Sequence, residues 1–297
     1  MIIWDGSRRL LKGNLHLHTT FSDGRAAPED AMEMYYQAGY DFLAITDHRK
    51  VSVKSTKYKS LTVIQGIEFD FNLPGQVMHI VGVGPKEGVA EAVERFFSPQ
   101  RAIDEINKAG GCAILAHPAW SMNTPAVISS LCGLTAAEIY NTVSGLPWNA
   151  DRADSSSILD VCGANGTILN FVASDDAHFY NGDQCQSYIM LACEENDEES
   201  IKAALRKGDF YATQGPKFEK IEFDGETMRV WTSPANAIVF FSDLPWMAGR
   251  SKCGEGLTYA EMKIQPGLRM RYMRVMLIDE NGRRAWSNPI IPEETPK

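Results

Sequence analysis

Short apolar segments alternate with amphipathic helical patterns through the first two thirds of the chain, and this alternation constrains its fold most. Residues 28–37 carry a proline in their first turn and early acidic residues, and Gly39 follows, which predicts a helix with both ends marked. Residues 41–46 and 112–116 read as buried strands, and residues 198–207 as a later helix. Strand and helix in alternation predict an α/β domain with a largely parallel sheet.

The pattern changes after about residue 213. Short β-prone segments, among them 228–232 and 237–241, are separated by turn signals such as Asp224-Gly225 and Asn281-Gly282. This texture is typical of a small all-β, sandwich-like module. We therefore predict two domains, residues 1–213 and residues 214–297.

The charge balance and the apolar pattern exclude several classes of protein. The chain has 29 basic and 38 acidic residues and a net charge of −9, so a bulk nucleic-acid partner is not expected. A small anionic substrate held locally by metal ions remains compatible with this charge. No apolar run is long enough to predict a transmembrane helix, and the first residues do not resemble a secretory signal. The six cysteines form no C-x-x-C pair, and we predict reduced thiols in a cytoplasmic protein.

The histidines are few, and most have ligand-like neighbours. His16 and His18 flank one residue, so on an extended strand both point to the same face, and Asp23 follows closely. Asp176 and His178 repeat this spacing. Imidazole nitrogens with carboxylate oxygens suit zinc, manganese or iron. The alternative is that a lone histidine after a strand is a hydrogen-bonded structural residue.

That structural reading suits His79 best and is as good as the metal reading for His117, since both stand alone in the sequence. Several other candidates come directly after predicted strands, where active sites of parallel β/α folds are built: His48, Glu68, His117 and the pair Asp176 and His178. His16 and His18 fit near the end of the first predicted strand. His79 breaks the pattern because it precedes its apolar run.

The motifs HLHTTFSDG, TDH, GIE, HIVG, AHP and SDDAH, in that order, resemble those of the PHP (polymerase and histidinol phosphatase) superfamily. The resemblance covers roughly residues 12–213. It implies a distorted (β/α)7 barrel and a metal-dependent phosphoesterase with two or three divalent ions, Mn, Fe or Zn. The junction GDFYATQGP and the β module after it look like a two-domain branch, some members of which are described as carbamate or aryl-ester hydrolases.

The family's nine ligand positions carry over one by one, and all six histidines are used. By resemblance the metal ligands are His16, His18, Asp23, His48, Glu68, His79, His117, Asp176 and His178. In the family, the glutamate that matches Glu68 bridges two ions. The resemblance makes Glu68, Asp23, His48 and His178 the candidates that act at the reacting centre.

The sequence departs from the family pattern in two places. The closing motif contains two aspartates, Asp175 and Asp176; counting back from His178 selects Asp176, and a shifted alignment would exchange them. Many phosphatases of the superfamily have an arginine soon after AHP, where this chain has Ala119-Trp120-Ser121.

The missing arginine leaves the substrate contacts open. Arg49 and Lys50, directly after His48, supply positive charge, or they form an ordinary solvated loop. Trp120, Asn141 and Tyr180 fall near strand ends and are further candidates for the pocket wall.

The leading interpretation is hydrolysis of a small phosphomonoester by metal-activated water at a two- or three-metal site. One alternative keeps the metals and changes the substrate to a non-phosphate ester, a carbamate or an amide. Another is a metal-binding sensing module without turnover. The sequence does not give the oligomeric state.

Overall fold

The structure is a computed structural model, and it describes residues 1–95, 97–265 and 268–292. It has a mixed α/β fold, as predicted. The elements of the first half are β1 (Ile2–Asp5), β2 (Leu10–Asn14), α1 (Pro28–Gln37), β3 (Phe42–Ile45), β4 (Thr56–Tyr58), β5 (Leu61–Leu73), β6 (Gln76–Val83), α2 (Val89–Glu94), α3 (Pro99–Lys108), β7 (Cys112–Ala116), α4 (Pro125–Ile128) and β8 (Ala136–Asn141).

The second half has fewer described helices than the first. Its elements are α5 (Ser156–Ala164), β9 (Asn170–Ser174), β10 (Tyr188–Ala192), α6 (Glu198–Lys207), β11 (Phe210–Thr213), β12 (Phe218–Phe223), β13 (Thr227–Ser242), β14 (Ser251–Lys263), β15 (Met273–Ile278) and β16 (Arg284–Ser287). The predicted helices 28–37 and 198–207 and the strand 112–116 are present with the predicted bounds. None of the described helices is long and apolar enough to cross a lipid bilayer.

Local chemistry explains where the principal helices begin. The Asp197 side chain accepts a hydrogen bond from the Ser200 N–H at the start of α6, and Ser98 does the same for Arg101 at the start of α3. Helix α1 has no such side-chain cap and begins instead with Pro28, whose missing N–H costs nothing at this position. Gly208 ends α6 with a left-handed backbone, a conformation that glycine adopts without strain.

The strands form one hydrogen-bonded path. Its order is β1-β12-β13-β15-β16-β11-β10-β2-β3-β5-β6-β7-β8-β9, with β14 beside β13 and β4 beside β5. Strands β2, β3 and β5 run parallel, as do β7, β8 and β9, whereas β6 is antiparallel to both of its neighbours. The reversal of β6 places its first residues at the edge where the parallel strands have their carboxyl ends.

The segments that follow β2 and β9 lie side by side. An isolated parallel bridge joins Leu17 to Ala177. The His18 N–H donates to the Ala177 carbonyl at 3.0 Å, and the Asp176 N–H donates to the His16 carbonyl at 2.9 Å. Backbone hydrogen bonds therefore hold the opening and closing motifs side by side.

Both faces of these strands are buried. Val81 and Ile114 pack in one apolar core, and their neighbours Ile80 and Leu115 pack in another core that includes Ile103 of α3. Burial on both faces explains why these strands read as continuous apolar runs instead of alternating ones.

Strands β12 to β16 and β1 enclose a further apolar core, which contains Trp4, Ile221 and Phe240. The segments 228–232 and 237–241, predicted as separate strands, form the single strand β13, and this part of the prediction was wrong. Register shifts between Trp231 and Ala237 absorb Pro234 within the strand. A bulge interrupts the hydrogen-bond ladder locally, so a proline is tolerated there. Pro234 therefore lies at an irregularity within one long strand and not in a turn between two strands.

A buried ion pair joins β15 to helix α5. The Arg274 side chain is fully buried, and its Nε and Nη2 donate to the Asp160 carboxylate at 2.8 and 2.6 Å. The Tyr272 hydroxyl donates to the same carboxylate at 2.9 Å, and the guanidinium carbon lies 3.9 Å from the centre of the Phe241 ring. The contact between these two elements therefore includes a desolvated charge whose carboxylate partner is only partly exposed.

Candidate metal centre

Two of the predicted ligands lie within strands, and the others lie on the segments that follow strands. His48, His117, Asp176 and His178 follow strands, as predicted. Glu68 lies inside β5, which continues to Leu73, so its predicted position after a strand was wrong. The extension of β5 pairs with β6 as an antiparallel ladder, which accounts for its greater length.

His79 is the fourth residue of β6. Because β6 is antiparallel, the early residues of that strand reach the same edge as the late residues of its neighbours, which explains why His79 precedes its apolar run. His16 and His18 lie just after β2, which ends at Asn14, and not within the first strand as predicted. Their segment is held by the bridge at Leu17.

The structure brings all nine predicted ligands together in three groups. Within each group the ligand atoms lie within 4.8 Å of one another. The outer group is His18, Asp23, His48 and His178; the central group is His16, His18, Glu68 and Asp176; the inner group is Glu68, His79 and His117. His18 belongs to two groups and Glu68 to two, so the groups form one continuous centre.

Glu68 lies between the central and inner groups. Its Oε1 is 2.8 Å from His79 Nδ1 and 3.4 Å from His117 Nε2. Its Oε2 is 3.0 Å from His18 Nε2 and 3.3 Å from His16 Nε2. The two oxygens of one carboxylate therefore face two different sets of imidazoles.

Hydrogen bonds on their far sides orient the imidazole rings. His16 Nδ1 lies 2.8 Å from Glu138 Oε1, and His178 Nδ1 lies 2.7 Å from the Asp176 carbonyl. Each Nδ1–H then donates outward, which leaves the Nε2 lone pair facing the centre. This is the arrangement that metal-binding histidines use.

Buried carboxylates and imidazoles perturb one another strongly. Burial opposes charge on His16, but the nearby carboxylates of Asp176 and Glu68 outweigh it and raise its pKa above the usual value. Burial also opposes charge on His18, but the carboxylates of Asp176 and Glu68 raise the pKa of His18 to about 9. Burial would raise the pKa of Glu68, but the histidines around it hold that pKa well below its usual range. In these residues the carboxylates and the imidazoles each favour the charged form of the other.

The residues fit divalent metal ions. Within the described part of the chain, Asp176 Oδ1 and His48 Nδ1 are buried yet make no hydrogen bond of acceptable geometry. Asp176 Oδ1 is nevertheless 3.1 Å from the Nε2 atoms of both His16 and His18. Several ligand atoms thus converge on a point without satisfying one another, and nitrogen with carboxylate oxygen is a donor set for zinc, manganese or iron.

Two of these residues have strained backbones. His117 has φ of 30° and Asp176 has φ of 52°, which is the left-handed region that non-glycine residues rarely adopt. Such outliers concentrate at functional sites, where the surrounding structure imposes them. The Asp175 carboxylate supplies part of this constraint, because it accepts from the Tyr35 hydroxyl at 2.7 Å and from the Ser187 N–H at 2.8 Å.

The two aspartates of the closing motif therefore differ. Asp176 faces the imidazoles, whereas Asp175 is fully occupied by hydrogen bonds, a difference that favours Asp176 as the ligand. Burial raises the pKa of Asp175 to about 6. Asp47 accepts from Thr19 and Ser22, so it fixes the loop that carries Asp23 and does not orient an imidazole.

Sequence reasoning missed Glu138. This buried glutamate on β8 accepts from His16 Nδ1–H at 2.8 Å, from the His117 N–H at 2.8 Å and from Asn141 Nδ2 at 2.7 Å. It therefore positions two candidate ligands. Its sequence signal was a single glutamate in the otherwise apolar start of a strand, a position where a charged residue needs buried partners.

Replacing Glu138 with glutamine is expected to weaken metal binding about 10- to 100-fold, the range found when an outer partner of a metal ligand is altered. The amide keeps the size of the side chain but loses the charge that orients His16 and stabilises its Nδ1–H. Metal affinity measured by competition with a chromogenic chelator tests this. An affinity equal to that of the unaltered protein would show that Glu138 only fills space.

The centre opens into a cavity of about 200 Å³. Besides seven of the candidate ligands, it is lined by Trp120, Val143, Ser144, Asn149 and Phe179. Trp120, a predicted wall residue, lies with its ring centre 4.9 Å from that of His117, and its Nε1–H donates to Asn149.

The other predicted substrate residues lie outside the lining of this cavity. Arg49 binds Asp70 through two nitrogens, at 2.6 and 2.7 Å. Lys50 Nζ lies 5.4 Å from the centre of the exposed Phe21 ring. Asn141 is buried and binds Glu138 and Asp176, and the Tyr180 hydroxyl donates to the His18 carbonyl at 2.6 Å. The last two thus hold candidate ligands in place.

Comparison with known proteins gives partial sequence matches and a full-length structural match. No protein-family model matches the chain. A 5'-3' exoribonuclease of Haemophilus influenzae is 30% identical over 112 residues, which is 33% of this chain and 41% of that protein. The DNA polymerase/3'-5' exonuclease PolX of Bacillus subtilis is 25% identical over 79 residues, 20% of this chain and 14% of that protein. The chain thus spans less than half of the length of either relative.

The structural match extends over both halves of the chain. A crystal structure of a two-domain protein containing a predicted PHP-like metal-dependent phosphoesterase, from Bacteroides vulgatus, superposes with a TM-score of 0.53. The match covers 98% of each chain at 14% identity, which establishes likeness of fold. The chain therefore shares the fold of that two-domain protein over nearly its whole length, and this likeness of fold agrees with the resemblance in its sequence motifs.

Proposed function

We propose that this chain is a metal-dependent hydrolase, a phosphoesterase that cleaves a small phosphomonoester. The observation that carries the proposal is the continuous centre itself, in which His18 and Glu68 are shared between adjoining ligand groups at the base of a cavity. Adjacent sites that share a carboxylate are typical of hydrolases that place two ions on the two sides of a reacting phosphorus. We propose two or three ions, Mn, Fe or Zn.

The residues of the chain have distinct roles in this proposal. Glu68 would help to hold ions in both the central and the inner group, and Asp176 and His16 complete the central set. Asp23 and His48, in the outer group, face the cavity together with His178. Divalent ions bound there would supply the Lewis acidity that activates a water for attack on the ester. Buried carboxylates around the centre keep the imidazoles oriented before the substrate arrives.

We further propose that strands β2, β3 and β5 to β9 form a distorted (β/α)7 barrel and that the later strands form a sandwich-like module, divided as residues 1–213 and 214–297. The bridge between Leu17 and Ala177, which joins the two ends of the strand series, supports a closed barrel. The separate apolar core around Phe240 supports a second unit. We also keep the proposals of a cytoplasmic location and of no bulk nucleic-acid partner.

A non-phosphate ester, carbamate or amide is the second candidate substrate, and one observation favours it. Among the described residues that line the cavity, none is a lysine or an arginine, while Trp120, Val143 and Phe179 provide apolar surface. A neutral acyl group would bind such a wall without a cationic partner.

Metal removal is expected to abolish hydrolysis, and re-addition of one metal is expected to restore it. Dialysis against a chelator followed by titration with Mn, Fe or Zn tests this, with bound metal counted by mass spectrometry. The substrate panel holds matched phosphate and carboxylate esters of one alcohol, a carbamate and a short oligoribonucleotide. Cleavage of the phosphate ester alone supports the phosphoesterase. Cleavage of the carboxylate ester or carbamate alone supports the second candidate, and bound metal without any turnover contradicts both.

A further inference from the structure

A phosphate ester is negatively charged, and the described lining of the cavity contains no lysine or arginine. Its described lining is acidic, imidazole or neutral, and the chain as a whole carries a net charge of −9. Ions in the centre would attract the phosphoryl group, but the mouth of the cavity would repel it unless a cation lies there. Arg25, Arg49 and Lys50 are three cations on segments next to candidate ligands.

Arg49 is poorly suited to this task. Its guanidinium is held by Asp70 in a two-nitrogen ion pair, which neutralises its charge and occupies the donors that an oxyanion would need. Lys50 lies over the ring of Phe21, which is not part of the cavity lining.

Arg25 has the required features. Its backbone N–H donates to the carbonyl of His178 at 2.8 Å, which ties it directly to the closing motif. Its guanidinium carbon lies 4.8 Å from the centre of the Phe179 ring, and Phe179 lines the cavity. Within the described ranges no carboxylate lies within ion-pair distance of the Arg25 side chain, which is exposed. A planar guanidinium stacked on an aromatic ring keeps its edge donors available for an oxyanion.

We infer that Arg25 recognises the oxyanion of the substrate beside Phe179, at the edge of the cavity. The inference rests on the proposed phosphoesterase function and names the residue that selects a phosphoryl group over a neutral acyl group. Its stacking on Phe179 places the positive charge beside the outer ligand group, where Asp23 and His178 face each other at 3.5 Å.

The test compares Arg25→Ala with Arg269→Ala in the metal-replete protein. Arg269 is another exposed arginine, on the segment between β14 and β15, and serves as the matched control. Binding of inorganic phosphate is measured by calorimetry, and KM and kcat are measured on the phosphate ester. Arg25→Ala is expected to weaken phosphate binding and raise KM about tenfold, with kcat and metal content nearly unchanged, whereas Arg269→Ala changes none of them. Arg25→Lys, which keeps the charge but not the planar donor edge, is expected to recover part of the phosphate affinity.

The outcomes separate this inference from the proposed function. If the unaltered protein binds phosphate in an Arg25-dependent way but cleaves no phosphate ester, the inference stands and the phosphoesterase fails. If it cleaves the phosphate ester and both alanine variants behave alike, the phosphoesterase stands and the inference is overturned. Equal loss in Arg25→Lys and Arg25→Ala would also overturn it, because charge would then not be what Arg25 supplies.

Discussion

The Glu68→Gln variant is expected to bind at least one metal ion fewer than the unaltered protein and to hydrolyse its substrate about a thousandfold more slowly. Glu68 faces two imidazole sets through its two oxygens, so an amide at this position spoils both the central and the inner group. A loss of roughly 4 kcal/mol of transition-state stabilisation corresponds to that factor, and it is of the size that metal polarisation contributes. Metal content by mass spectrometry and kcat on the same preparation measure the two effects.

Glu105→Gln is the matched control for this variant. Glu105 is also a buried glutamate with basic partners, Arg101 at 2.9 Å and Lys108 at 3.5 Å, but it lies on α3 away from the centre. It is expected to keep full metal content and full turnover. Full metal content and full turnover in Glu68→Gln would show that Glu68 is not a metal ligand.

The Asp160→Ala variant is expected to lose about 3 kcal/mol in the free energy of unfolding. Removal of the carboxylate leaves the fully buried guanidinium of Arg274 without its partner. An unpaired buried charge lowers the free energy of unfolding by about 3–5 kcal/mol. We expect the lower end of this range because the Asp160 side chain is 22% exposed, so water reaches part of the pair. The midpoint of urea unfolding, with metal removed from all samples, measures the loss.

Two companion variants test the reason for that loss. The double variant Asp160→Leu/Arg274→Met removes both charges and is expected to recover most of the stability. Arg284→Gln breaks a more exposed ion pair, with Asp154, and is expected to cost less than about 1 kcal/mol. A double variant no more stable than Asp160→Ala would show that packing around Phe241, and not the stranded charge, sets the loss.

The sequence predicted the regular elements and the ligand motifs because both depend on local spacing. Helices 28–37 and 198–207 carry their own start and stop residues, and His16 and His18 are two residues apart in extended backbone. Such signals depend on residues close together in the sequence, so they can be read without a structure.

The parts that could not be predicted depend on pairing between distant segments. The direction of β6 is set by its neighbours β5 and β7, and only that direction explains how His79 reaches the centre. Glu138 acquires its role from His16, which lies 122 residues away in the sequence. The residues on both sides of Pro234 belong to the one strand β13 because β14 and β15 pair with it along its length.

The reversed strand has a consequence for how such a centre can diversify. Glu68 and His79 project from two strands of one antiparallel ladder, in which Asp70 faces His79 and Glu68 faces Val81. Their separation is thus fixed by strand register, which changes only in whole-residue steps. Asp23, Phe179 and Arg25 lie on connecting segments, which tolerate insertion and exchange far better. Strand register therefore fixes the spacing of Glu68 and His79, whereas the segments that carry Phe179 and Arg25 can change in length or sequence without altering that spacing.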